Sequence, residues 1–383
     1  VAMMTTAATQ PVRTYTVTFP EKYRKGENTL DDPAVAARVA TTLGCENRQI
    51  VMEPDVASLF GKLCWHMDEP TADPALIAAY AVCEEAGREV TVLLSGVGGD
   101  ELFAGYRKYV AHYWAQVYAK FPRSLTQFVG EAAERFPNMR GSDWKGRLRL
   151  LRKMLRSAGL PARERFIRNC TYLDPGQRSA LYSDEMRAVT ADVATGGEHL
   201  AAFEKVRHAD FLNQMLYLDT KIFMNNLNLN YNDKMSMACS VEVRVPFLDR
   251  ELAEFVAWNV PPHLKLKGFL SPETKYIFRK AMQDILPEEV LRQPKAGFAA
   301  PVDYWLANDL REMTDDLLAE SQVKSRGLFD AREVRKMVRE HRSGRRDWSM
   351  QIWQLLTLEL WMQNFVDGSS SVREVERAEA AIA

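Results

Sequence analysis

The sequence predicts an α/β protein, with a parallel-sheet layer over residues 1–110 and a largely helical half over residues 111–367. Three observations support this prediction. Strand-like and helix-like runs alternate as far as Tyr106, the run Glu89–Ser95 is apolar almost throughout, and long helical patterns with one apolar face follow. A continuous apolar run is typical of a strand buried on both faces of a parallel sheet. The polar end, residues 368–383, is expected to be a disordered tail.

Each element of the alternating part has its own local signal. Arg13–Phe19 is rich in β-branched and aromatic residues and predicts a strand, which Pro20 ends. Asp31–Leu43 starts with acidic residues and proline, keeps a helical spacing of apolar residues, and stops before Gly44. The further predicted elements are a strand near Gln49–Met52, helices from Asp55 and over Pro74–Ala86, an irregular segment Lys234–Asp249, and helices over Arg250–Trp258 and Ser349–Val366.

Charge and cysteine content exclude several classes of partner. Lysine and arginine total 50 against 51 for aspartate and glutamate, so no net field attracts nucleic acid or an acidic membrane surface. The sequence has no apolar run of membrane-spanning length. Five cysteines lie far apart without a CxxC pair, which favours a cytoplasmic location. We therefore expect a small-molecule partner.

Because the chain starts at Val1 and reaches a predicted strand almost at once, we also expect it to be a fragment.

The most informative motif follows the predicted buried strand. Ser95-Gly-Val-Gly-Gly leads into a predicted helix at Asp100, at the carboxyl edge of the sheet, where open α/β sheets bind ligands. Glycines such as Gly96 let the backbone approach a ligand, and the N–H groups of the turn can hold an anion. The pattern fits neither a dinucleotide fingerprint nor a Walker loop. Asp100 and Glu101 would repel a phosphate unless Mg²⁺ lay between them. The alternative is a glycine-rich turn with acidic helix-capping residues.

A second motif is SVEVRVPFLD, Ser240–Asp249. Glu242 and Arg244 stand in an apolar frame, where burying their charges is costly unless they bond each other or a ligand. We place both among the catalytic candidates. The alternative is a structural ion pair.

Several segments together resemble the conserved blocks of the asparagine synthetase family, in the family's order. The resemblance covers Arg13 to about Phe365, almost the whole chain. The segments are SGVGGDELFAGY, NDKMSMACSVEVRVPFLD and RQPKAGFAAPVDYWL, with DEPTADP at Asp68–Pro74 and WQLLTLELW at Trp353–Trp361 as further similar stretches.

The resemblance implies an ATP-pyrophosphatase-type domain that activates a carboxylate, such as aspartate, as an acyl-adenylate and lets ammonia attack it. Family members place a lysine against the transferring phosphate, and Lys275 in ETKYIFRKAM matches it. An ammonium there can follow the negative charge that develops on phosphate oxygens. By matching positions, the other implied site residues are Val17, Ser95 and Gly96 as adenylate contacts, Asp100 as a ligand of Mg²⁺, and Lys295 as a pyrophosphate contact.

The chain also departs from the family. It lacks the N-terminal glutaminase domain that supplies ammonia from glutamine, and the SGGxDS pyrophosphate loop that precedes the first strand. Val97 stands where many family members have an acid, and Tyr231 where many have lysine. These departures leave three hypotheses: an asparagine synthetase-like ligase, an amidotransferase for another carboxylate such as a sugar acid, and an inactive nucleotide-binding remnant. The resemblance also suggests a homodimer.

The histidines show no metal-binding spacing such as HExxH, and most are expected to be surface or packing residues. They are His66, His112, His199, His208, His263 and His341. Catalysis by a metal bound to histidine is therefore not predicted. HRSGRR, which starts at His341, is expected to be a solvated turn rather than a nucleic-acid contact.

Overall fold

A computed structural model describes residues 1–23, 32–118, 160–268, 272–293 and 300–368. Lys295 and the predicted tail beyond residue 368 lie outside these residues. The strands are β1 (Arg13–Thr18), β2 (Glu46–Val51), β3 (Val92–Leu94), β4 (Glu242–Arg244), β5 (Leu266–Lys267) and β6 (Glu273–Thr274).

The helices of the first described stretches run up to Tyr118. They are α1 (Ala2–Ala7), α2 (Asp32–Thr42), α3 (Val56–Met67), α4 (Ala75–Ala86), α5 (Gly99–Phe103) and α6 (Arg107–Tyr118), with a 3₁₀ turn at Glu21–Tyr23.

The described residues from 160 to 268 are mostly helical. They form α7 (Ala162–Asn169), α8 (Pro175–Leu181), α9 (Asp184–Thr190), α10 (Gly197–Lys205), α11 (Phe211–Leu218), a π-helix (Asp219–Leu229), α12 (Asn230–Met237), a 3₁₀ turn (Pro246–Leu248), α13 (Arg250–Asn259) and α14 (Pro262–Lys265).

The last helices complete the described part of the chain. They are α15 (Tyr276–Ala281), α16 (Glu288–Arg292), α17 (Val302–Ala307), α18 (Arg311–Leu317), α19 (Glu320–Arg326), α20 (Ala331–Arg342) and α21 (Ser349–Phe365).

The predicted α/β class is confirmed by two parallel strand pairs. β1 pairs with β2 from Arg13 opposite Glu46 to Thr18 opposite Val51. β3 pairs with β4, with Val92 opposite Glu242 and Leu94 opposite Arg244. The predicted strand at Arg13–Phe19 and the helices at Asp31–Leu43, Asp55, Pro74–Ala86, Arg250–Trp258 and Ser349–Val366 agree with the structure to within one or two residues. The strand predicted near Gln49–Met52 begins earlier, at Glu46.

The expected burial of the third strand is wrong. In β3, Val92 and Leu94 keep 39% and 48% of their surface exposed. A continuous apolar run fits burial on both faces, yet burial requires neighbouring layers on both faces. In the described part of the chain β3 has one strand partner, β4, in a two-stranded sheet.

The segment predicted to be irregular, Lys234–Asp249, is also different. Its first residues belong to α12, and Glu242–Arg244 form β4. Three residues are too few to show the alternation of a strand, and this strand exists because it pairs with the distant β3. The pairing joins the two predicted parts of the chain in one sheet, and the division at residue 110 stays a prediction.

The main hydrophobic core lies between α3, α4, α17, α20 and α21. Phe60 stacks on Trp353 with ring centroids 4.2 Å apart, and Trp305 lies 6.0 Å from Trp353. All three side chains are fully buried, and large aromatic side chains dominate the burial energy of such cores. The C-terminal helix α21 is therefore a central packing element.

A smaller core positions the helix that follows the glycine-rich loop. Leu102 and Phe103 of α5 pack against Val256 and Val260 of α13 and its end. Phe103 also stacks on Phe278 of α15, with centroids 4.9 Å apart. This core therefore fixes α15 against α5.

Across the described ranges, no helix combines the length and the apolar character needed to cross a bilayer.

Candidate active site

The glycine-rich loop lies at the carboxyl ends of two adjacent parallel strands. The N–H of Ser95 donates to the carbonyl of Arg244 at 2.8 Å, which extends the β3–β4 pairing to the start of the loop. Gly98 has a φ of +96°, and a Cβ there would lie 2.4 Å from Leu248 Cδ2. Only glycine fits that backbone and that contact. At Gly96, by contrast, a Cβ would meet nothing within 4 Å, so this side of the loop faces open space.

Asp100 and Lys275 meet beside this loop. Lys275 Nζ lies 2.9 Å from Asp100 Oδ1, and the two side chains are only 23% and 16% exposed. Attraction between charges is several times stronger in such a partly desolvated place than in water. The structure therefore joins the residue that the family resemblance assigns to the Mg²⁺ of pyrophosphate, Asp100, and the one that it assigns to the transferring phosphate, Lys275.

Gly105 is a further residue of this site. A Cβ at Gly105 would lie 1.8 Å from Asp100 Oδ1 and 2.3 Å from Lys275 Cε. No side chain can stand there without displacing the pair, so this glycine makes room for it. Sequence reasoning did not single out Gly105, although it lies within the quoted motif SGVGGDELFAGY.

The backbone around Lys275 is held in an uncommon conformation. Its φ is +54°, and its N–H donates to the carbonyl of Phe103 at 3.1 Å. A left-handed conformation costs energy for a residue with a Cβ, and such costs cluster at functional sites. The stacking of Phe103 on Phe278, one turn after Lys275, helps to hold it.

Glu101, next to Asp100, faces away from the loop into the protein. Its buried carboxylate accepts from the hydroxyl of Tyr106 at 2.5 Å and from the amide of Asn228 at 3.1 Å. Burial and the neighbouring Glu101 carboxylate raise the pKa of Tyr106, so its hydroxyl keeps the proton that it donates. Glu101 therefore ties α5 to the π-helix, a helix type that is often found at functional sites.

A second buried acid, Asp219, anchors the start of the same π-helix. It accepts from Lys108 Nζ at 2.7 Å and from the hydroxyl of Tyr109 at 2.5 Å. Burial raises the pKa of Asp219, although Lys108 and Tyr109 act in the opposite direction. Lys108 also lies 4.5 Å above the ring of Phe223. Sequence reasoning did not identify this group, because its members come from separate helices.

Glu242 and Arg244 bond each other across one strand residue. Arg244 Nε donates to Glu242 Oε1 at 2.8 Å, and the side chains are 62% and 58% exposed. Both side chains lie on the open face of the β3–β4 pair, so the cost of burying their charges does not arise. The structural ion pair, which was the alternative, is what the structure shows; their place among the catalytic residues stays a prediction.

The remaining predicted residues are spread more widely. Val17 lies in β1, opposite Ile50 in the other strand pair. Val97 donates its N–H to the Ser95 hydroxyl at 3.4 Å. Tyr231 packs against the main core, and burial raises its pKa to about 12, so its hydroxyl stays neutral. Lys295 lies outside the described residues.

The structure also forms a histidine–aspartate group that spacing did not signal. Asp303, His341 and Asp347 place one ligand atom each within 4.8 Å of one another. His341 Nδ1 accepts from the N–H of Trp348 at 3.3 Å, and Asp347 accepts from the N–H and hydroxyl of Ser349. These bonds fasten the end of α20 to the start of α21, so the geometry favours a packing role.

The parallel strand pairs, the glycine-rich loop and the partly buried Asp100–Lys275 pair define an α/β protein with a candidate ligand site at a sheet edge. A sequence profile of the asparagine synthase family matches residues 1–363. The chain therefore belongs to the asparagine synthase family, which confirms the predicted ATP-pyrophosphatase-like fold class.

Individual relatives agree with this assignment. Asparagine synthetase [glutamine-hydrolyzing] 1 of Bacillus subtilis is 33% identical over 91% of this chain and 52% of its own length. A putative asparagine synthetase [glutamine-hydrolyzing] of Mycobacterium bovis is 31% identical over 92% of this chain and 51% of its own length. Amidase chyE of Penicillium rubens is 27% identical over 83% of this chain and 48% of its own length. The chain spans about half the length of these curated relatives.

Proposed function

We propose that this chain forms the synthetase part of an ATP-dependent, amide-forming ligase. It activates a carboxylate as an acyl-adenylate, releases pyrophosphate, and lets ammonia form the amide. A glutaminase domain outside the chain releases that ammonia from glutamine. The observation that supports this proposal most directly is the contact of 2.9 Å between Asp100 and Lys275 beside the glycine-rich loop.

The chemistry explains why such a pair is useful. A carboxylate oxygen is a poor leaving group, and ATP supplies an adenylate that leaves readily. Negative charge moves onto phosphate oxygens as the carboxylate attacks, and a fixed ammonium stabilises charge that develops in the transition state. The left-handed backbone at Lys275 and the packing of Phe103 on Phe278 hold that ammonium in place before ATP binds.

Asp100 fits the role of a magnesium ligand. Mg²⁺ in nucleotide sites is usually bound by one or two carboxylates together with substrate phosphates and water. Asp100 offers such a carboxylate at the loop, with Lys275 beside one of its oxygens. Ser95 and Gly96 would contact the nucleotide, and the open space at Gly96 leaves room for it. The role of Val17 as an adenylate contact and that of Lys295 in pyrophosphate binding are part of the same proposal.

Pyrophosphate release tests the proposal. The assay contains ATP, Mg²⁺, ammonia and a carboxylic acid, and uses this chain and the full product of its gene. Aspartate is the first acceptor to test, because relatives are named for asparagine synthesis. We expect acid-dependent pyrophosphate release that Lys275→Met lowers at least a hundredfold.

Lys280→Met is the matched control, because Lys280 is an exposed lysine on α15, the helix that Lys275 directly precedes. It should leave the rate unchanged. The ligase proposal is wrong if no acid elicits pyrophosphate release, or if Lys275→Met and Lys280→Met behave alike. ATP binding without pyrophosphate release would favour the inactive remnant instead.

A further inference from the structure

A cavity of about 500 Å³ opens beside the π-helix, which contacts α5 through Asn228 and Glu101. Small-molecule sites usually have volumes of roughly 300–1,000 Å³. One wall comes from the π-helix and the start of α12, another from the corner that follows α3, and a third from the end of β4. None of the predicted catalytic side chains is among its described lining residues, so the proposed function leaves the cavity unexplained.

The lining is rich in amides and acids. The amides of Asn225, Asn226, Asn230 and Asn232 offer both donors and acceptors. Glu69 and Asp233 add two carboxylates, and the described lining residues include neither lysine nor arginine. Such a lining disfavours a carboxylate or phosphate and favours a ligand group with a protonated amine.

Residues next to the cavity lining contact the candidate active site. Val245 lines it and directly follows Arg244, whose carbonyl accepts from the N–H of Ser95. Asn232 donates to the carbonyl of Asn228 at 2.6 Å, and the Asn228 amide in turn donates to Glu101. Two short chains of contacts therefore connect the cavity to Ser95 and to Glu101, the residue next to Asp100.

The segment that follows α3 and carries Glu69, here called the acidic corner, is held in place by hydrogen bonds. Asn230 donates to Glu69 Oε2 at 3.2 Å. The preceding residue, Asp68, pairs with Lys234, and its carbonyl accepts from the indole of Trp361 at 2.8 Å. Lys234 also donates to the carbonyl of Met67. The corner is therefore fixed to α12 and α21 before a ligand arrives, which lowers the entropy cost of binding.

We propose that this cavity holds the part of the acceptor that lies away from its reacting carboxylate, and that the acceptor is an amino-bearing carboxylic acid larger than free aspartate. The inference rests on the proposed function. The reacting carboxylate lies toward Lys275, and the protonated amine binds Glu69 and Asp233. The cavity has the volume of roughly 17 water molecules at about 30 Å³ each. Free aspartate would leave most of that space to water.

Binding of matched probes tests the inference by calorimetry. One pair is the tripeptide Gly-Gly-Asp and its N-acetyl form; the other is 2-amino-2-deoxyglucuronic acid and its N-acetyl form. Acetylation removes the positive charge and keeps the scaffold. We expect the amine form of one scaffold to bind at least tenfold more tightly than its acetylated form and than free aspartate. The scaffold that shows the difference distinguishes a peptide acceptor from an amino-sugar acceptor.

Variants connect that difference to the cavity. Glu69→Gln and Asp233→Asn should each reduce the preference for the amine to less than threefold. Glu254→Gln is the matched control, because Glu254 is an exposed acid on α13 that pairs with Arg250. It should leave the preference unchanged.

Two results would overturn the inference: equal binding of the amine and acetylated forms on both scaffolds, or free aspartate binding as tightly as the better probe. The outcome is separate from that of the proposed function. Amine-selective binding without pyrophosphate release would contradict the ligase and keep the cavity assignment. If aspartate drives pyrophosphate release and the variants Glu69→Gln and Asp233→Asn leave that release unchanged, the ligase proposal stands and the cavity assignment fails.

Discussion

The two acid–base pairs supplied by the sequence motifs have nearly the same length and very different surroundings. Asp100 and Lys275 lie 2.9 Å apart and are mostly shielded from water. Glu242 and Arg244 lie 2.8 Å apart and are mostly exposed. An exposed pair contributes little to stability, because water and salt screen it. Shielding, rather than distance, is what separates a candidate for chemistry from a surface contact here.

The surroundings differ because of packing. Asp100 stands on a helix whose apolar residues are buried against α13 and α15, and Gly105 leaves space for its carboxylate. Glu242 and Arg244 stand on a three-residue strand whose outer face is open. The Asp100–Lys275 pair is therefore shielded by packed helices, and the Glu242–Arg244 pair lies on the protein surface.

The largest expected effect concerns catalysis at the shielded pair. Asp100→Asn and Lys275→Met should each lower pyrophosphate release by about 10²–10³-fold, since each removes a charge that acts in the transition state. The double variant should be little worse than either single variant, because residues that act as a unit are not additive. Fully additive losses in steady-state rates would show that the two residues act separately.

The next effect concerns Asp219, the buried acid at the start of the π-helix. Asp219→Asn replaces one of the two acceptor oxygens used by Lys108 and Tyr109 with an NH₂ donor, and should lower the free energy of unfolding by about 3 kcal/mol near pH 4. Burial raises the native pKa of Asp219, so its contribution to stability is greatest below the ordinary pKa of an aspartate and declines as pH rises through the native pKa.

Urea unfolding of the wild type and of Asp219→Asn, from pH 4 to pH 7, measures this dependence. The difference in stability between the two proteins should shrink as pH rises. A difference that grows with pH would contradict a raised native pKa for Asp219.

Crowding around the shielded pair gives a smaller effect. Gly105→Ala should destabilise the protein by about 2 kcal/mol, because the new methyl group would overlap Asp100 and Lys275. Gly61→Ala is the control, since Gly61 lies in α3 and a Cβ there meets nothing within 4 Å. Alanine should stabilise that helix by roughly 0.5–1 kcal/mol. Thermal unfolding of both variants measures the contrast, and equal shifts would contradict the crowding at Gly105.

The smallest effect is expected at the exposed pair. Glu242→Gln and Arg244→Gln should each change the free energy of unfolding, measured in urea, less than Gly105→Ala does, because water and salt screen the pair. Arg244 holds the pKa of Glu242 below its ordinary value, so this weak stabilisation is present above that ordinary value and is lost as pH falls through the native pKa. The pH dependence of this contribution is opposite to that of Asp219, whose contribution to stability declines as pH rises. If either variant abolishes pyrophosphate release while the fold is intact, the pair contacts substrate and belongs to the catalytic site.

Much of the local structure could be predicted because its causes are local. The helix at Asp31–Leu43 has its stop signal in Gly44, which adopts a φ of +67°. The helix that begins after Asp55 has that residue as its N-cap, with the carboxylate accepting from the N–H of Ser58. The loop SGVGGDELF likewise shows its glycines and its acidic helix start directly.

The errors have a common physical cause. The exposure of Val92 and Leu94 and the strand at Glu242–Arg244 depend on which segment lies beside which, and no local pattern contains that information. The group of Lys108, Tyr109 and Asp219 was not predicted for the same reason, since contacts between distant helices form it.

The sequence by itself determined the family, the alternation of strands and helices, and the identity of Ser95, Asp100 and Lys275 as candidates, because each depends on residue type and order. The tertiary structure decided which charges are shielded. It brought Lys275 to Asp100 through the packing of Phe103 on Phe278, and it left Arg244 in solvent. Burial is a property of neighbours in space, and the chain has to fold before those neighbours exist.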